Sequence, residues 1–261
     1  MTDELWMKRQ EFNDLSLQIK AYEVFSEVAI LPETYIVVRV DGSNFHQFTE
    51  NMKYKKPFDE KFNRIMCDVA KLVMEKYGCI YAYTQSDEIS FLFDENTIFF
   101  NRRAEKIDTI IASEVASRFT RIVDEPVAFD GRIVSLPNVT VLKKYFQWRM
   151  EDANRNALNQ WAYWTARKTG LSPKKSQSLF DKKGVAFKNE FLFQNKINYN
   201  EVPAWMKRGV GFKWVKYQKE GFNPITKEKA IADRRKIVEM RELDIKFANS
   251  DIYYIDAICR R

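Results

Sequence analysis

The sequence predicts an α+β fold in which helices pack on one face of an antiparallel sheet. Three observations support this prediction: a hydrophobic strand at 35–40, an amphipathic helix at 58–77, and two short runs of β-forming residues at 79–84 and 89–93. The two runs are separated by a polar tip and predict a hairpin. Helices that alternate with the strands through about residue 136 then cover one face of the sheet.

The first segment, 4–27, alternates apolar and charged residues at helical spacing. It predicts a helix whose apolar side packs on another part of the chain. That side carries Leu15, Ile19, Tyr22 and Phe25. Pro32 ends the helix, and the strand at 35–40 follows and runs directly into Asp41 and Gly42.

The second helix begins near Pro57, a residue that a first helical turn tolerates. Asp59 and Glu60 lie where the positive end of the helix dipole favours acids. Apolar residues then recur at helical spacing up to Tyr77 and Gly78. The hairpin that follows has the sequence QSDE at its tip, 85–88.

A third helix starts with Arg102, Arg103 and Lys106, and a turn and strand follow at 129–135. Basic residues in a first turn oppose the helix dipole. They therefore indicate either an anionic ligand nearby or a solvated basic face.

The second half is less regular. It predicts helices at 148–168 and 172–182, a strand at 210–217, and a helix followed by a strand within 227–248. No repeat, low-complexity tract or Pro/Gly-rich linker separates this half from the first. We therefore divide the chain into a core, 1–136, and an α-rich extension, 137–261, that packs on the same unit.

Composition restricts the function classes. A hydrophobic content of 45% allows a proper core, and a net charge of +7 attracts polyanions, of which nucleic acid fits best. The aromatic fraction of 15% leaves rings for stacking on bases, or simply builds an aromatic-rich core. Three unpatterned cysteines and a single histidine argue for a reducing cytosol and against a Cys/His zinc site. With no targeting pattern or membrane span, we expect a soluble cytoplasmic protein.

Two acids stand out between apolar runs. Asp41 ends a strand and Asp87 lies on the hairpin tip, so the two carboxylates meet if their strands are neighbours. Such a pair can hold two divalent cations, and Mg²⁺ suits hard oxygen ligands. Glu88 would point to the other face unless the strand bends. The simpler interpretation of Asp41-Gly42 is an ordinary turn.

Groups that could bind a triphosphate surround this acid pair. The backbone N–H groups of the loop after the strand could bind phosphate, and nearby basic side chains could compensate its charge. The loop residues are Gly42, Ser43, Asn44, Phe45 and His46, and the basic residues are Lys56, Arg102, Arg103 and Lys106.

Nine short sequence motifs follow one another along the chain. They are VRVDGSNFH at 38–46, KPFD at 56–59, YTQSDE at 83–88, NRRAEK at 101–106, FDGR at 129–132, WR at 148–149, KNE at 188–190, NYN at 198–200 and KRG at 207–209. Together they resemble the tRNA(His) guanylyltransferase superfamily, the 3′-to-5′ polymerases.

The resemblance implies a polymerase-type palm fold, a homotetramer, and addition of nucleotides to the 5′ end of tRNA with two Mg²⁺ ions and ATP, GTP or other nucleoside triphosphates. By match of position, Asp41, the Gly42 carbonyl and Asp87 would ligate the metals, and Glu88 would assist. The loop 42–46 would hold the triphosphate and Asp59 would lie near the base. Phosphate contacts are implied for Ser86, Arg102, Arg103 and Lys106, and a second nucleotide or the RNA 5′ end for Lys188, Asn189 and Asn200.

Two departures from the family pattern matter. The family usually has Arg where this chain has Ser43. After Trp148-Arg149, enzymes acting on tRNA(His) carry His-Ile-Asn-Asn, whereas this chain reads EDANRNA at 151–157 and places Asn154 at the histidine. This pattern resembles the guanylyltransferase-like branch, which repairs 5′-truncated tRNAs by copying the opposite strand. The residues specific to the branch are Asp152, Asn154, Arg155 and Asn156.

Three alternatives stay open. The first is addition of a single G at position −1 of tRNA(His). The second is a nucleotide cyclase on a similar palm, which would need no RNA. The third is a non-catalytic RNA-binding module, which would bind tRNA equally well without Mg²⁺ and without the two acids.

Overall fold

The structure, a computed structural model, describes residues 3–222 and 229–243. Its helices are α1 Asp3–Lys20, α2 Phe45–Asn51, α3 Glu60–Tyr77, α4 Ala104–Val123, α5 Val139–Lys168, α6 Pro173–Phe180, α7 Val185–Gln194 and α8 Ala204–Arg208, with short 3₁₀ segments at Phe99–Arg102 and Tyr199–Glu201. Its strands are β1 Tyr35–Gly42, β2 Tyr81–Gln85, β3 Glu88–Phe93, β4 Phe129–Leu136, β5 Val210–Phe222 and β6 Lys229–Met240.

The strands form one six-stranded antiparallel sheet in the order β4-β1-β3-β2-β5-β6. β1 therefore lies between β3 and β4. In this register Asp41 is directly opposite Glu88 on β3 and opposite Asp130 on β4. The acid-pair hypothesis depends on the first strand and the hairpin being neighbours, and this condition is met.

The side chains of β1 alternate between two layers, as the pleat of a strand requires. Ile36, Val38 and Val40 pack into the core that contains α3 and α4. Tyr35 and Val37 pack into a second core with the N-terminal half of α5. The α+β prediction is confirmed, with α3 and α4 on one face; the extension adds α5 on the opposite face.

Local signals explain where the central helices start and stop. The Asp59 side chain accepts a hydrogen bond from the N–H of Phe62, so the N-cap is Asp59 and α3 starts two residues later than predicted. α3 ends at Tyr77, and the C-cap residue Gly78 adopts the left-handed conformation (φ 69°) that glycine tolerates. α5 starts at Val139, earlier than predicted, because the side chain of Asn138 caps it by accepting from the N–H of Val141.

Two predictions about the ends of the chain are wrong. α1 ends at Lys20, and the side chains expected to pack, Leu15, Ile19, Tyr22 and Phe25, are exposed. The helix expected early in 227–248 is the strand β6, which pairs with β5 over its full length. Residues 227–228 and 244–248 of that prediction lie outside the described residues. Within the described part of the chain, no helix has the length and apolar character needed to cross a membrane.

Candidate active site

A cavity of about 730 Å³ opens where β1 ends, beside the tip of the β2/β3 hairpin and the middle of α5. Its volume falls in the range of small-molecule sites. Ten of the residues predicted to be functional line it: Asp41, Phe45, His46, Lys56, Asp59, Ser86, Asp87, Glu88, Asp152 and Asn156. Residues separated by more than a hundred positions in sequence thus meet in one site.

The two predicted acids, Asp41 and Asp87, share this cavity. The N–H of Gly42 donates to the carbonyl of Asp87 (3.1 Å), which ties the end of β1 to the hairpin tip. Burial raises the pKa of Asp41, and the charge of Asp130 raises it further. Burial also raises the pKa of Asp87, a hydrogen bond from Ser86 opposes the rise, and the charge of Asp41 adds to it. A bound cation would relieve this repulsion.

The loop after β1 differs from its prediction. The N–H groups of Gly42 and Ser43 donate to the carbonyls of Asp87 and Ala128, so the prediction that these two amides bind a triphosphate is wrong. Gly42 is required for another reason: a side chain there would collide with the ring of Phe45. That ring packs in the core against Phe48, Phe62, Phe119 and Phe129.

Glu88 also faces the cavity, but its carboxylate is already paired. Arg149 of α5 donates from Nε to Oε1 (2.8 Å) and from Nη2 to Oε2 (2.6 Å). Both side chains are almost fully buried, at 7% and 6% exposure for Glu88 and Arg149. Arg39 is the next cation, with its Nε 4.0 Å from Glu88 Oε2. The motif Trp148-Arg149 gives no sign of this contact in the sequence.

Lys56 supplies a positive charge to the cavity. Its Nζ donates to Oγ1 of Thr49 (2.6 Å) and lies 5.9 Å from the ring centre of Trp164. Burial lowers the pKa of Lys56, and the charges of Glu50 and Asp87 oppose that change. The ammonium group therefore lies where it can attract an anionic ligand toward the acid pair.

The wall formed by α5 is polar and was only partly predicted. Its side chains recur at helical spacing along one face: Asp152, Asn156, Asn159, Gln160 and Tyr163. The predicted set stopped at Asn156. The same i, i+4, i+7 pattern, read one turn further, identifies the remaining three.

Comparison with known proteins identifies the family. Residues 16–137 match the family description "tRNAHis guanylyltransferase", and residues 140–254 match "Thg1 C terminal domain". A mouse protein named probable tRNA(His) guanylyltransferase is 33% identical over 85% of this chain and 78% of its own length. The chain belongs to the tRNA(His) guanylyltransferase family. It is therefore a nucleotidyltransferase, as predicted. The Kluyveromyces lactis tRNA(His) guanylyltransferase is 36% identical over 73% of this chain and 86% of its own length.

Solved guanylyltransferase structures share the fold. The Saccharomyces cerevisiae enzyme superposes with a TM-score of 0.66 at 35% identity, over 70% of this chain and 87% of its own. A bacterial guanylyltransferase-like protein in complex with GTP gives a TM-score of 0.71 at 25% identity, over 95% of this chain and 100% of its own. The same comparison with an ATP complex gives 0.72 at 25% identity, with the same coverage.

One basic residue expected to contact phosphate has a structural role in this chain. Arg102 is only 8% exposed, and its guanidinium faces the chain itself. It donates to five main-chain carbonyls, those of Ile30, Leu31, Thr34, Glu95 and Thr97, and to the Thr34 hydroxyl. The predicted phosphate contact of Arg102 is wrong, because every donor nitrogen is used to join the segment before β1 to the segment after β3.

Other predicted residues lie away from the main cavity. Arg103 is within 3.5 Å of Glu27, and Lys106 is exposed on α4.

Asn154 accepts a hydrogen bond from the Tyr199 hydroxyl through its carbonyl (3.2 Å), and Arg155 pairs with Asp152. The residues Gly42, Ser43, Asn44, Asn189 and Asn200 are also absent from the cavity lining. Lys188 lines a smaller neighbouring cavity of about 240 Å³ and donates to Asn159 (2.8 Å).

Asp59 is expected to stabilise α3 whatever its role toward a ligand. Its carboxylate accepts from the N–H groups of Phe62 (3.0 Å) and Lys55 (2.8 Å). We expect Asp59→Ala to lower the free energy of unfolding by about 1 kcal/mol, as for other lost N-caps. Asp59→Asn should cause a much smaller loss, because asparagine is also a good N-cap residue. Urea denaturation measures both. Equal losses in the two variants would contradict the capping role.

Proposed function

We propose that this chain adds nucleotides in the 3′-to-5′ direction to the 5′ end of tRNA, and that 5′-truncated tRNAs are substrates repaired by copying the opposite strand. The observation that carries the proposal is the meeting of Asp41 and Asp87 in one cavity of nucleotide size. These acids come from a strand end and a hairpin tip, 46 residues apart (87 minus 41).

The donor set at this point fits Mg²⁺. Asp41 and Asp87 offer hard carboxylate oxygens whose negative charges repel each other, and the Gly42 carbonyl is the third proposed ligand. Among the described residues no group of three or more His, Cys, Asp or Glu side chains is positioned to hold a metal. A pair of carboxylates therefore suits ions whose remaining ligands are water and substrate phosphate. When bound, Mg²⁺ would neutralise charge on the reacting phosphates.

The remaining groups of the cavity would bind and orient the nucleotide. Lys56 would attract the triphosphate, whose charge it would partly balance. His46 and Ser86 line the same cavity as the two acids. α2 begins at Phe45, and the first N–H groups of a helix have no hydrogen-bond partner within the helix. The bacterial relatives are complexes with GTP and ATP, which supports nucleoside triphosphates as substrates of this chain too.

Selection of the incoming base would then come from the template. The α5 wall presents the amides of Asn156, Asn159 and Gln160, and an amide group both donates and accepts hydrogen bonds. Such a wall imposes no single donor–acceptor pattern on a base. Watson–Crick pairing with the 3′ strand would make the selection, and the basic chain would hold tRNA mainly through its phosphates and shape.

The second candidate is addition of a single G to tRNA(His). It is favoured by the names of the curated relatives, which are tRNA(His) guanylyltransferases. It is opposed by the sequence 151–157, where Asn154 replaces the expected histidine and bonds to Tyr199. We also propose the homotetramer, the cytoplasmic location and the division into 1–136 and 137–261.

A panel of tRNAs tests the choice between the two. The protein is incubated with intact tRNA(His), with several 5′-truncated tRNAs and with each nucleoside triphosphate, and products are read at nucleotide resolution. We expect addition to several truncated species, matched to the templating base. Addition of one G to tRNA(His) with no extension of truncated tRNAs would contradict the repair proposal. Turnover of nucleotide without RNA would indicate a cyclase.

A further inference from the structure

The buried pair of Glu88 and Arg149 lies one residue from the hairpin-tip acid. Asp87 and Glu88 are consecutive, and β3 starts at Glu88. The main chain of Asp87 is fixed on one side by the N–H of Gly42, and the side chain of Glu88 is fixed on the other by Arg149. Movement of the tip would have to break one of these contacts.

Arg149 is itself strongly held. Its guanidinium lies 4.5 Å from the ring centre of Trp148, and its Nη2 is 3.3 Å from Asp152 Oδ2 one turn along α5. The helix that carries it is 30 residues long and packs on the face of the sheet that bears Tyr35 and Val37. A rigid element therefore positions the guanidinium fork, and the fork positions Glu88.

The same contact makes Glu88 a poor metal ligand. Each of its two carboxylate oxygens accepts a charge-assisted hydrogen bond from Arg149. Turning one oxygen toward a cation would break one of the two hydrogen bonds of a buried guanidinium, which is costly. Pairing also removes one unbalanced charge beside Asp41, which already has Asp130 as a register partner on its other side.

We propose that Arg149 is a positioning residue for nucleotide addition: through its bidentate pair with Glu88 it fixes the hairpin tip so that Asp87 faces Asp41, and Glu88 acts through this pair instead of binding a metal. The inference rests on the proposed nucleotide addition at the cavity. It assigns different roles to the three neighbouring acids, since Asp41 and Asp87 face the substrate and Glu88 supports them.

The test uses Arg149→Lys and Glu88→Gln in the full-length chain. Lysine keeps the positive charge of Arg149 but cannot form the bidentate pair. Glutamine keeps the shape of Glu88 but removes its negative charge. Arg118→Lys is the matched control, because Arg118 also pairs with a glutamate, Glu114, but on α4 and outside the cavity lining. Four quantities are measured: kcat and KM for the nucleotide, the dissociation constant for Mn²⁺ by calorimetry without RNA, and the melting temperature.

We expect Arg149→Lys to lower kcat on the order of a hundredfold, the effect of a small misplacement of catalytic groups, with little change in KM. Mn²⁺ affinity should fall by the same factor, within about threefold, in Arg149→Lys and Glu88→Gln, because both variants break the same pair, and Arg118→Lys should match the wild type. A loss of Mn²⁺ affinity in Glu88→Gln that exceeds the loss in Arg149→Lys by tenfold or more would show a metal ligand and overturn the proposal. A lower melting temperature with normal kcat, measured well below melting, would show a purely structural pair and also overturn it.

The design separates this inference from the proposed function. Activity is measured on whichever tRNA the wild type extends, so a wrong choice between repair and G addition does not affect the result. If the wild type extends no tRNA, the proposed function fails, and Mn²⁺ binding still decides whether Glu88 is a ligand. If Arg149→Lys does not fold, Glu88→Gln, which is nearly isosteric, is the deciding variant.

Discussion

Replacing Asp87 by Asn is expected to abolish nucleotide addition and leave the fold intact. Asp87 lies at the hairpin tip beside Asp41, and the two line the same cavity. A metal held by such a pair contributes several kcal/mol of stabilisation to the charge of a transition state. Since each 1.4 kcal/mol is tenfold in rate, the loss should be on the order of a thousandfold or more. Asp41→Asn should have the same effect, measured with labelled truncated tRNA.

The same substitution should increase stability, which distinguishes it from a folding defect. The pKa of Asp87 in the folded chain is raised above its ordinary value of 3.8 by burial. The folded chain therefore binds this proton more tightly than the unfolded chain, and the stability contributed by the proton is lost as pH rises through the folded pKa. Asn carries no charge. The free energy of unfolding of Asp87→Asn should therefore exceed that of the wild type by an amount that grows from pH 3.8 upward and levels off above the raised pKa.

Asp68→Asn serves as the matched control. Asp68 is an exposed acid on α3 that pairs with Lys71 at 2.9 Å, and it does not line the cavity. Its substitution should change neither the rate of addition nor, beyond a few tenths of a kcal/mol, the stability. Near-normal addition by Asp41→Asn or Asp87→Asn would exclude the assignment of these acids to metal binding.

Replacing Arg102 by Ala should be the most destabilising of the changes considered. The side chain donates to one buried and four partly buried carbonyls and to one hydroxyl, which together join two distant segments. We expect a loss of about 3–5 kcal/mol, because carbonyls buried without donors are costly. For a chain of this size that corresponds to a fall in melting temperature of roughly 6–15 °C.

The neighbouring Arg103 provides the control for this prediction. Arg103 forms one pair with Glu27 at 3.5 Å, and the side chain of Glu27 is 80% exposed. Arg103→Ala should therefore change stability by less than about 1 kcal/mol. If instead Arg102→Ala melted like the wild type and raised KM for the nucleotide, the phosphate contact would be correct and the structural role wrong.

Much of the central fold could be predicted from the sequence because its signals are local. Apolar periodicity identifies α3 and α4, and two β-rich runs around a polar tip identify the β2/β3 hairpin. The failures have non-local causes. β6 is highly charged, and only its pairing with β5 makes it a strand. The apolar side of α1 predicted packing, but a pattern does not show whether the described chain provides a surface for it.

The residues of the candidate site also fall into those that local sequence predicts and those that depend on distant contacts. Asp41 and Asp87 could be predicted because each ends an apolar run at a turn. The role of Arg102 could not, since its partners lie between Ile30 and Thr34 and between Glu95 and Thr97. The contact between Arg149 and Glu88 spans 61 residues, and only the packing of α5 on the sheet brings the two together.

The position of α5 has a consequence for dividing the chain experimentally. This helix covers the face of the sheet that bears Tyr35, Val37 and Leu92, and it also carries Arg149 into the acidic site. A fragment ending at residue 136 would expose that hydrophobic face to water and remove the partner of Glu88. We expect such a fragment to aggregate, and separately expressed halves to regain activity only if they reassociate. We therefore expect catalytic competence to require both halves.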